Sequence, residues 1–304
     1  MKTAFLSELI NSTVKLSKIK TVILSSMASP AGPRAAPVPG AAPLVLENLA
    51  VGFHDKSVLS GVNVSLAAGE ILALAGPNGG GKTTLLKTAA GFLKPRSGRV
   101  ILEGRDLASF GKRERASRVS FLFQGQAALW PFTVKEFVSQ GRYALRGLFA
   151  PEAGADKERV EMAIGEAGLL GYEERLVTEL SGGEFQRVLI ARARSQEASL
   201  IIMDEPINNL DPKYQFVVMD MIRSLAEQGL SIILSLHDLT LANAYAHRIA
   251  LAAGGKIAAI GKPAEILREE ILSEVFEIPQ GYQKYVLPRN FPDGIDKKAQ
   301  IVKN

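Results

Sequence analysis

The sequence predicts an α/β fold: a parallel-sheet core carrying a phosphate-binding loop, an antiparallel β subdomain ahead of it and an α-helical subdomain inserted into it. Three observations predict this. First, Gly76-Pro77-Asn78-Gly79-Gly80-Gly81-Lys82-Thr83-Thr84 fits the pattern glycine, four residues, glycine, lysine, hydroxyl, with an apolar run at 71–75 before it and a helical run at 85–90 after it. Second, four apolar runs end in polar elements, Gly76, Gln124, Asp204-Glu205 and His237. Open α/β sheets place ligands outside the carboxyl ends of their strands, so these four converge on one edge. Third, the texture changes to helical periodicity with charged faces between about residues 125 and 196.

The loop supplies the chemistry. Its glycines let main-chain N–H groups close around the phosphates of a nucleotide, and the following helix adds the positive end of its dipole. Lys82 then meets the outer phosphates and Thr83 offers a hydroxyl to Mg²⁺.

Composition bounds the rest. A chain of 304 residues, 47% hydrophobic, can bury a substantial core. The net charge is +5, with basic residues spread rather than massed, so charge alone selects no partner. There is no cysteine, hence neither a disulfide framework nor a thiolate metal site. The longest uncharged stretch, 119–134, is broken by Gln124, Gly125, Gln126 and Pro131, so no transmembrane helix is read and a membrane would be reached through a partner. Lys15, Lys18 and Lys20 interrupt any signal core, and residues 28–43 are rich in Ala, Pro and Gly. Residues 1–42 therefore read as an extension with no means of packing a core, and Met27 is an alternative start.

Taken in order, residues 44–53 and 58–66 alternate apolar and polar about His54-Asp55-Lys56-Ser57, an antiparallel hairpin. Phe53 beside that turn is either a base-stacking aromatic or a core residue. A short strand is expected at 99–102 and another at 119–123 ending on Gln124. Helices are expected at 133–143, 156–169 and 184–195. Before the last, Ser181 reads as an N-cap, and Gly182-Gly183 leave helix N–H groups open to an anion, although an ordinary capped start fits equally. The run at 200–203 leads into Asp204-Glu205, two carboxylates costly to bury unless they hold a cation or a proton in transit. With a phosphate loop they fit one scheme, Asp204 supporting Mg²⁺ and Glu205 polarising the attacking water, against the reading of a structural ion pair. Asp211-Pro212 opens an amphipathic helix over 214–228, the strand 231–236 ends on His237, a closing hairpin pivots on Gly254-Gly255, and 263–276 reads as helix. The tail from 277 carries Lys297-Lys298 and no periodic pattern.

The order of phosphate loop, Gln124, Leu180-Ser181-Gly182-Gly183-Glu184, Asp204-Glu205, Asp211 and His237 resembles the ATP-binding cassette (ABC) ATPases over roughly residues 44–275. The resemblance implies a P-loop NTPase (RecA-like) core within a domain spanning 43–276, with ATP and Mg²⁺ as cofactors. It implies that Phe53 stacks on adenine, Gln124 links Mg²⁺ to motion on the substrate side, Glu205 is the base and His237 the switch histidine. Two copies would pair head to tail, Ser181, Gly182 and Gly183 of one completing the site of the other and Asp211 lying at their interface. Gln140-Gly141-Arg142-Tyr143, Gly147-Leu148-Phe149 and the ending Glu265-Ile266-Leu267 with Leu272-Ser273-Glu274-Val275-Phe276 look like the ATPases of importers for iron-siderophore, haem and vitamin B12, a pattern that manganese and zinc importers share in part. That implies membrane permease subunits, indirectly a solute-binding protein, a place at the cytoplasmic face of the membrane, and no nucleic acid. An exporter ATPase shares the same catalytic set, and a soluble ABC ATPase acting on DNA or ribosomes usually carries coiled-coil insertions or a second cassette that this chain lacks. Four positions depart from the family pattern: Gly80, Phe123, Ile207 and Arg194.

Overall fold

Alternate residues of the strand Ile71–Ala75 feed two different hydrophobic cores. Ile71, Ala73 and Ala75 join one, while Leu72 and Leu74 join the other. The strand Leu200–Met203 divides the same way, Ile201 and Met203 to one side, Leu200 and Ile202 to the other. A strand covered on both faces must be apolar at every position, which is why these segments read as unbroken runs.

The computed structural model describes residues 42–53, 56–146 and 154–278. The extension at 1–42 apart from Ala42, the His54-Asp55 turn, Gly147-Leu148-Phe149 and the tail from residue 279 lie outside the described residues. In chain order the strands are β1 (Leu44–Phe53), β2 (Lys56–Leu66), β3 (Ile71–Ala75), β4 (Ser97–Leu102), β5 (Arg105–Asp106), β6 (Val119–Leu122), β7 (Leu200–Met203), β8 (Ser231–Ser235), β9 (Arg248–Ala253) and β10 (Lys256–Gly261). The helices are α1 (Lys82–Ala89), α2 (Lys112–Ala116), α3 (Val134–Ser139), α4 (Tyr143–Arg146), α5 (Gly154–Glu166), α6 (Gly182–Ser195), α7 (Pro212–Glu227), α8 (Leu239–Tyr245), α9 (Pro263–Ile266) and α10 (Glu269–Val275).

Two sheets result. The larger runs β10-β9-β3-β8-β7-β6, parallel from β9 to β6 with β10 antiparallel at the edge. The smaller, β2-β1-β4-β5, is antiparallel and shares its core with α1 and one face of the larger sheet. Because β3, β8, β7 and β6 point the same way, their carboxyl ends lie on one edge, as the four polar run-ends predict. The expected strand at 119–123 stops at Leu122, and Phe123 turns outward into an aromatic cluster with Phe92 and Phe121, ring centroids 5.2 and 4.5 Å away.

The inserted helices pack on the opposite face. Val138, Val160, Ile164, Val188 and Leu189 belong to the same core as Ile201 and Met203, so the insertion is continuous with the sheet's helical layer. A single helix over 133–143 is not what forms. Thr133 caps α3 in a reciprocal box with Glu136, and the chain then tightens into a 3₁₀ turn at Gln140–Arg142. The cause is tertiary: the Ser195 hydroxyl takes the Val138 carbonyl at 2.8 Å, and buried Arg142 reaches Asp156 (2.8 Å) and Glu197 (2.7 Å). Likewise 263–276 breaks into α9 and α10 around Leu267-Arg268. Arg194 bonds to Glu166 at 2.8 Å and ties α6 to α5, and Ile207 is buried in the core. Among the described residues no helix is long and apolar enough to cross a membrane.

Candidate active site

Leaving β3, the chain bends back sharply and enters α1. Gly76 takes φ 135° directly over the end of β9, where a Cβ would fall 2.2 Å from the Ala252 carbonyl oxygen, and a Cβ at Gly80 would meet the same oxygen at 2.8 Å. A side chain at Gly80 would therefore require the arch or β9 to shift. Helix α1 starts at Gly81 with no side-chain cap, so its first N–H groups are left to an external acceptor. Pro77, Asn78 and Gly79 form the arch, Thr83 is half-buried at the helix start and Thr84 is buried behind it.

Lys82 is 6% exposed, and its Nζ donates to the carbonyl oxygens of Gly76 (2.8 Å) and Pro77 (2.9 Å). Burial pushes its pKa below the usual lysine value, while the charges of Glu205 and Asp204 hold it up. The loop lysine and the acidic pair thus stand close enough at the sheet edge for their charges to act on one another. A cation so placed gains most from a polyanion entering between them.

Asp204, 3% exposed, continues the ladder by donating its N–H to the Leu122 carbonyl at 2.9 Å, and its Oδ1 accepts from the Ser235 hydroxyl at 2.8 Å. Glu205 leaves the strand with φ 50°, the left-handed region that costs a non-glycine residue about 1–3 kcal/mol. Its side chain is held from three directions: Oε2 accepts from Gln124 Nε2 (2.5 Å) and Asn208 Nδ2 (2.7 Å), and Oε1 lies 2.6 Å from His237 Nε2. Three contacts converging on one side chain act against that cost. Glu205, Asn208, Ser235 and His237 line a small open cleft of about 80 Å³. Gln124, Asp204, Glu205 and His237 are therefore brought together with Lys82.

The remaining sequence-predicted residues stand elsewhere. Phe53 is 48% exposed at the end of β1, on the hairpin whose Val58 and Leu59 abut Gly81. Ser181 and Gly182 are exposed at the start of α6, where Ser181 forms a reciprocal box with Glu184. Gly183 is buried against Tyr214, whose ring atoms would lie 2.5 Å from a Cβ there. Asp211 caps α7 by accepting from Tyr214 N–H at 3.1 Å. So Ser181, Gly182, Gly183 and Asp211 form a second surface around Leu210 and Tyr214. Two contributors escaped sequence reasoning, Asn208 and Ser235. Ser235 carried a usable signal, a hydroxyl at the carboxyl end of a buried strand whose middle, Ile232 to Leu234, is apolar.

A glycine loop entering a helix, a buried lysine facing two carboxylates, and a carboxylate held among Gln, Asn and His define a phosphate-loop nucleotide hydrolase. The family model described as "ABC transporter" matches residues 59–208. The hemin import ATP-binding protein HmuV of Streptomyces coelicolor is 40% identical over 255 residues, 81% of this chain and 89% of that protein. The "Probable siderophore transport system ATP-binding protein YusV" of Bacillus subtilis is 36% identical over 240 residues, 79% of this chain and 87% of that one. Among solved structures, an inward-facing ABC transporter assigned to the metal-chelate type superposes with a TM-score of 0.70 at 28% identity, covering 79% of this chain and 90% of that chain. The chain belongs to the ABC transporter family, as an ATP-binding subunit that hydrolyses ATP.

Proposed function

We propose that this chain powers import of haem, an iron-siderophore or a related metal complex, working as a head-to-tail dimer on membrane permease subunits at the cytoplasmic face of the membrane. The cargo class follows that of relatives matching most of the chain, the hemin and siderophore ATP-binding proteins. A solute-binding protein would deliver cargo to the permease, and nucleic acid has no part.

The observation that carries the hydrolytic roles is the Glu205 cluster. Glu205 is the general base: its carboxylate is aimed into the cleft and its oxygens are supported by Gln124, Asn208 and His237. Its φ of 50° turns the side chain off the strand toward incoming water. His237, 44% exposed, is free to exchange its bond to Glu205 for a γ-phosphate oxygen, and Gln124 can likewise swing toward the nucleotide. Lys82 and the main-chain N–H groups of the loop and of the start of α1 hold the phosphates, and Phe53 stacks on the adenine.

The donor set also fits Mg²⁺. Thr83 and Asp204 offer only oxygen, as a hard cation requires, and Asp204 is held by the Ser235 hydroxyl through Oδ1 alone. These two would hold the ion together with phosphate oxygens. When bound, Mg²⁺ supplies charge neutralisation at the β- and γ-phosphates. The exposed start of α6 would face the nucleotide of the partner copy, through Ser181, Gly182 and Gly183, with Asp211 beside it.

The test is reconstitution. The chain is recovered with its permease from detergent-solubilised membranes and placed in vesicles. ATP-dependent accumulation of haem or a ferric siderophore is expected. Vigorous ATP hydrolysis with no accumulation of either would overturn the cargo assignment.

A further inference from the structure

We infer that Ser235 is a positioning residue for hydrolysis, one hydroxyl fixing both the Asp204 carboxylate and the Glu205 backbone. The inference rests on the hydrolytic roles proposed for those two residues. Ser235 is fully buried at the carboxyl end of β8, with β3 on one side and β7 on the other. The ladder between β7 and β8 runs to Met203 and Leu234, and beyond it the Glu205 amide takes a side-chain acceptor instead, Ser235 Oγ at 2.8 Å. The same Oγ lies 2.8 Å from Asp204 Oδ1. An amide N–H can only donate, so the oxygen accepts there and its own proton goes to the carboxylate. Both bonds are thereby fixed in direction.

The consequence concerns geometry rather than bulk stability. Glu205 keeps φ 50° where the strand would otherwise continue, and the Ser235 hydroxyl is the group that receives the amide at that bend. Asp204 is nine-tenths and more buried, and the same hydroxyl sets which oxygen it turns outward. Losing Ser235 Oγ would let the Glu205 backbone relax toward the ladder and free the Asp204 carboxyl to rotate. A misplaced base loses rate while nucleotide binding through the phosphate loop persists.

Ser235→Ala in the full chain tests this. Turnover is expected to fall about tenfold to a hundredfold, the effect of losing a hydrogen bond to a charged group, with the KM for ATP within about twofold. The Mg²⁺ concentration giving half-maximal ATP binding should rise roughly tenfold by the same reasoning. In nucleotide-free protein, hydrogen exchange at the Glu205 amide should accelerate at least about tenfold. Ser235→Thr, which keeps the hydroxyl, should restore that protection and most of the turnover. Should the alanine variant not fold, Ser235→Cys preserves the volume while weakening both bonds and is read the same way. Turnover and Mg²⁺ requirement both within about twofold of the parent would overturn the proposal, leaving only a structural hydroxyl. If Glu205→Gln is inactive in that case, the positioning role alone has failed. If Glu205→Gln also turns over normally, the hydrolytic assignment itself is wrong.

Discussion

The carboxylate edge and the start of α6 hold their polar side chains in opposite ways. At the edge, Glu205 draws partners from three separate parts of the chain, Gln124 after β6, Asn208 before α7 and His237 after β8. At Ser181 the hydrogen bonds run to Glu184 within the same first turn. The first arrangement is set by the fold and is ready inside one copy. The second is a local cap on an outward surface, made without help from the rest of the fold.

The contrast can be broken most forcefully at Glu205. Replacing it by Gln should lower ATP turnover by roughly 10²–10⁴, the range for a lost general base, while ATP still binds. Phosphate release and equilibrium nucleotide binding measured on one preparation check both halves, and retained turnover would remove Glu205 as base. Lys82→Ala comes next. Loss of a charge-assisted contact to phosphate should weaken ATP affinity about tenfold to a hundredfold, and unchanged affinity in a titration would contradict the cradle.

Mixing sharpens the comparison. If α6 serves the partner's nucleotide, Ser181→Arg and Lys82→Ala proteins, assayed at an ATP concentration too low for either to turn over alone, should together regain up to about a quarter of parental turnover, since about half the dimers hold one intact site of two. No recovery on mixing would confine α6 to its own copy.

The smallest effect is on the cap itself. Hydrogen bonds from the Ser181 backbone and hydroxyl hold the Glu184 carboxyl below its ordinary 4.5. Its stabilisation is therefore complete above pH 4.5 and lost as pH falls through the depressed native value. Glu184→Gln should cost roughly 0.5 kcal/mol at neutral pH, and the gap in melting temperature from the parent should close on acidification.

Much of this was legible because it is local. Strand, glycine loop and helix occupy consecutive positions around Lys82, and the polar residue closing each buried run marked Gln124, Asp204-Glu205 and His237. What the chain could not disclose were partners decided by strand order. Ser235 bonds Asp204 and Glu205 only because β8 lies beside β7, and Asn208 reaches Glu205 only through the tight turn after it, where Asn208 N–H donates to the Glu205 carbonyl at 3.2 Å. The same holds for the tightening at Gln140–Arg142, imposed by Ser195, Asp156 and Glu197 from distant sequence. Helix α8, short and capped by Asp238, went unread beside the stronger signal of His237.

The Ala252 carbonyl sets the floor of the nucleotide cradle, within 3 Å of where side chains at Gly76 and Gly80 would begin. Arch and closing hairpin are therefore meshed like two gears with no clearance. A substitution that shifts β9 by even half an ångström would reshape the phosphate grip without altering any of its residues, so variation in the hairpin is a route by which ATP affinity could drift while every motif stays intact.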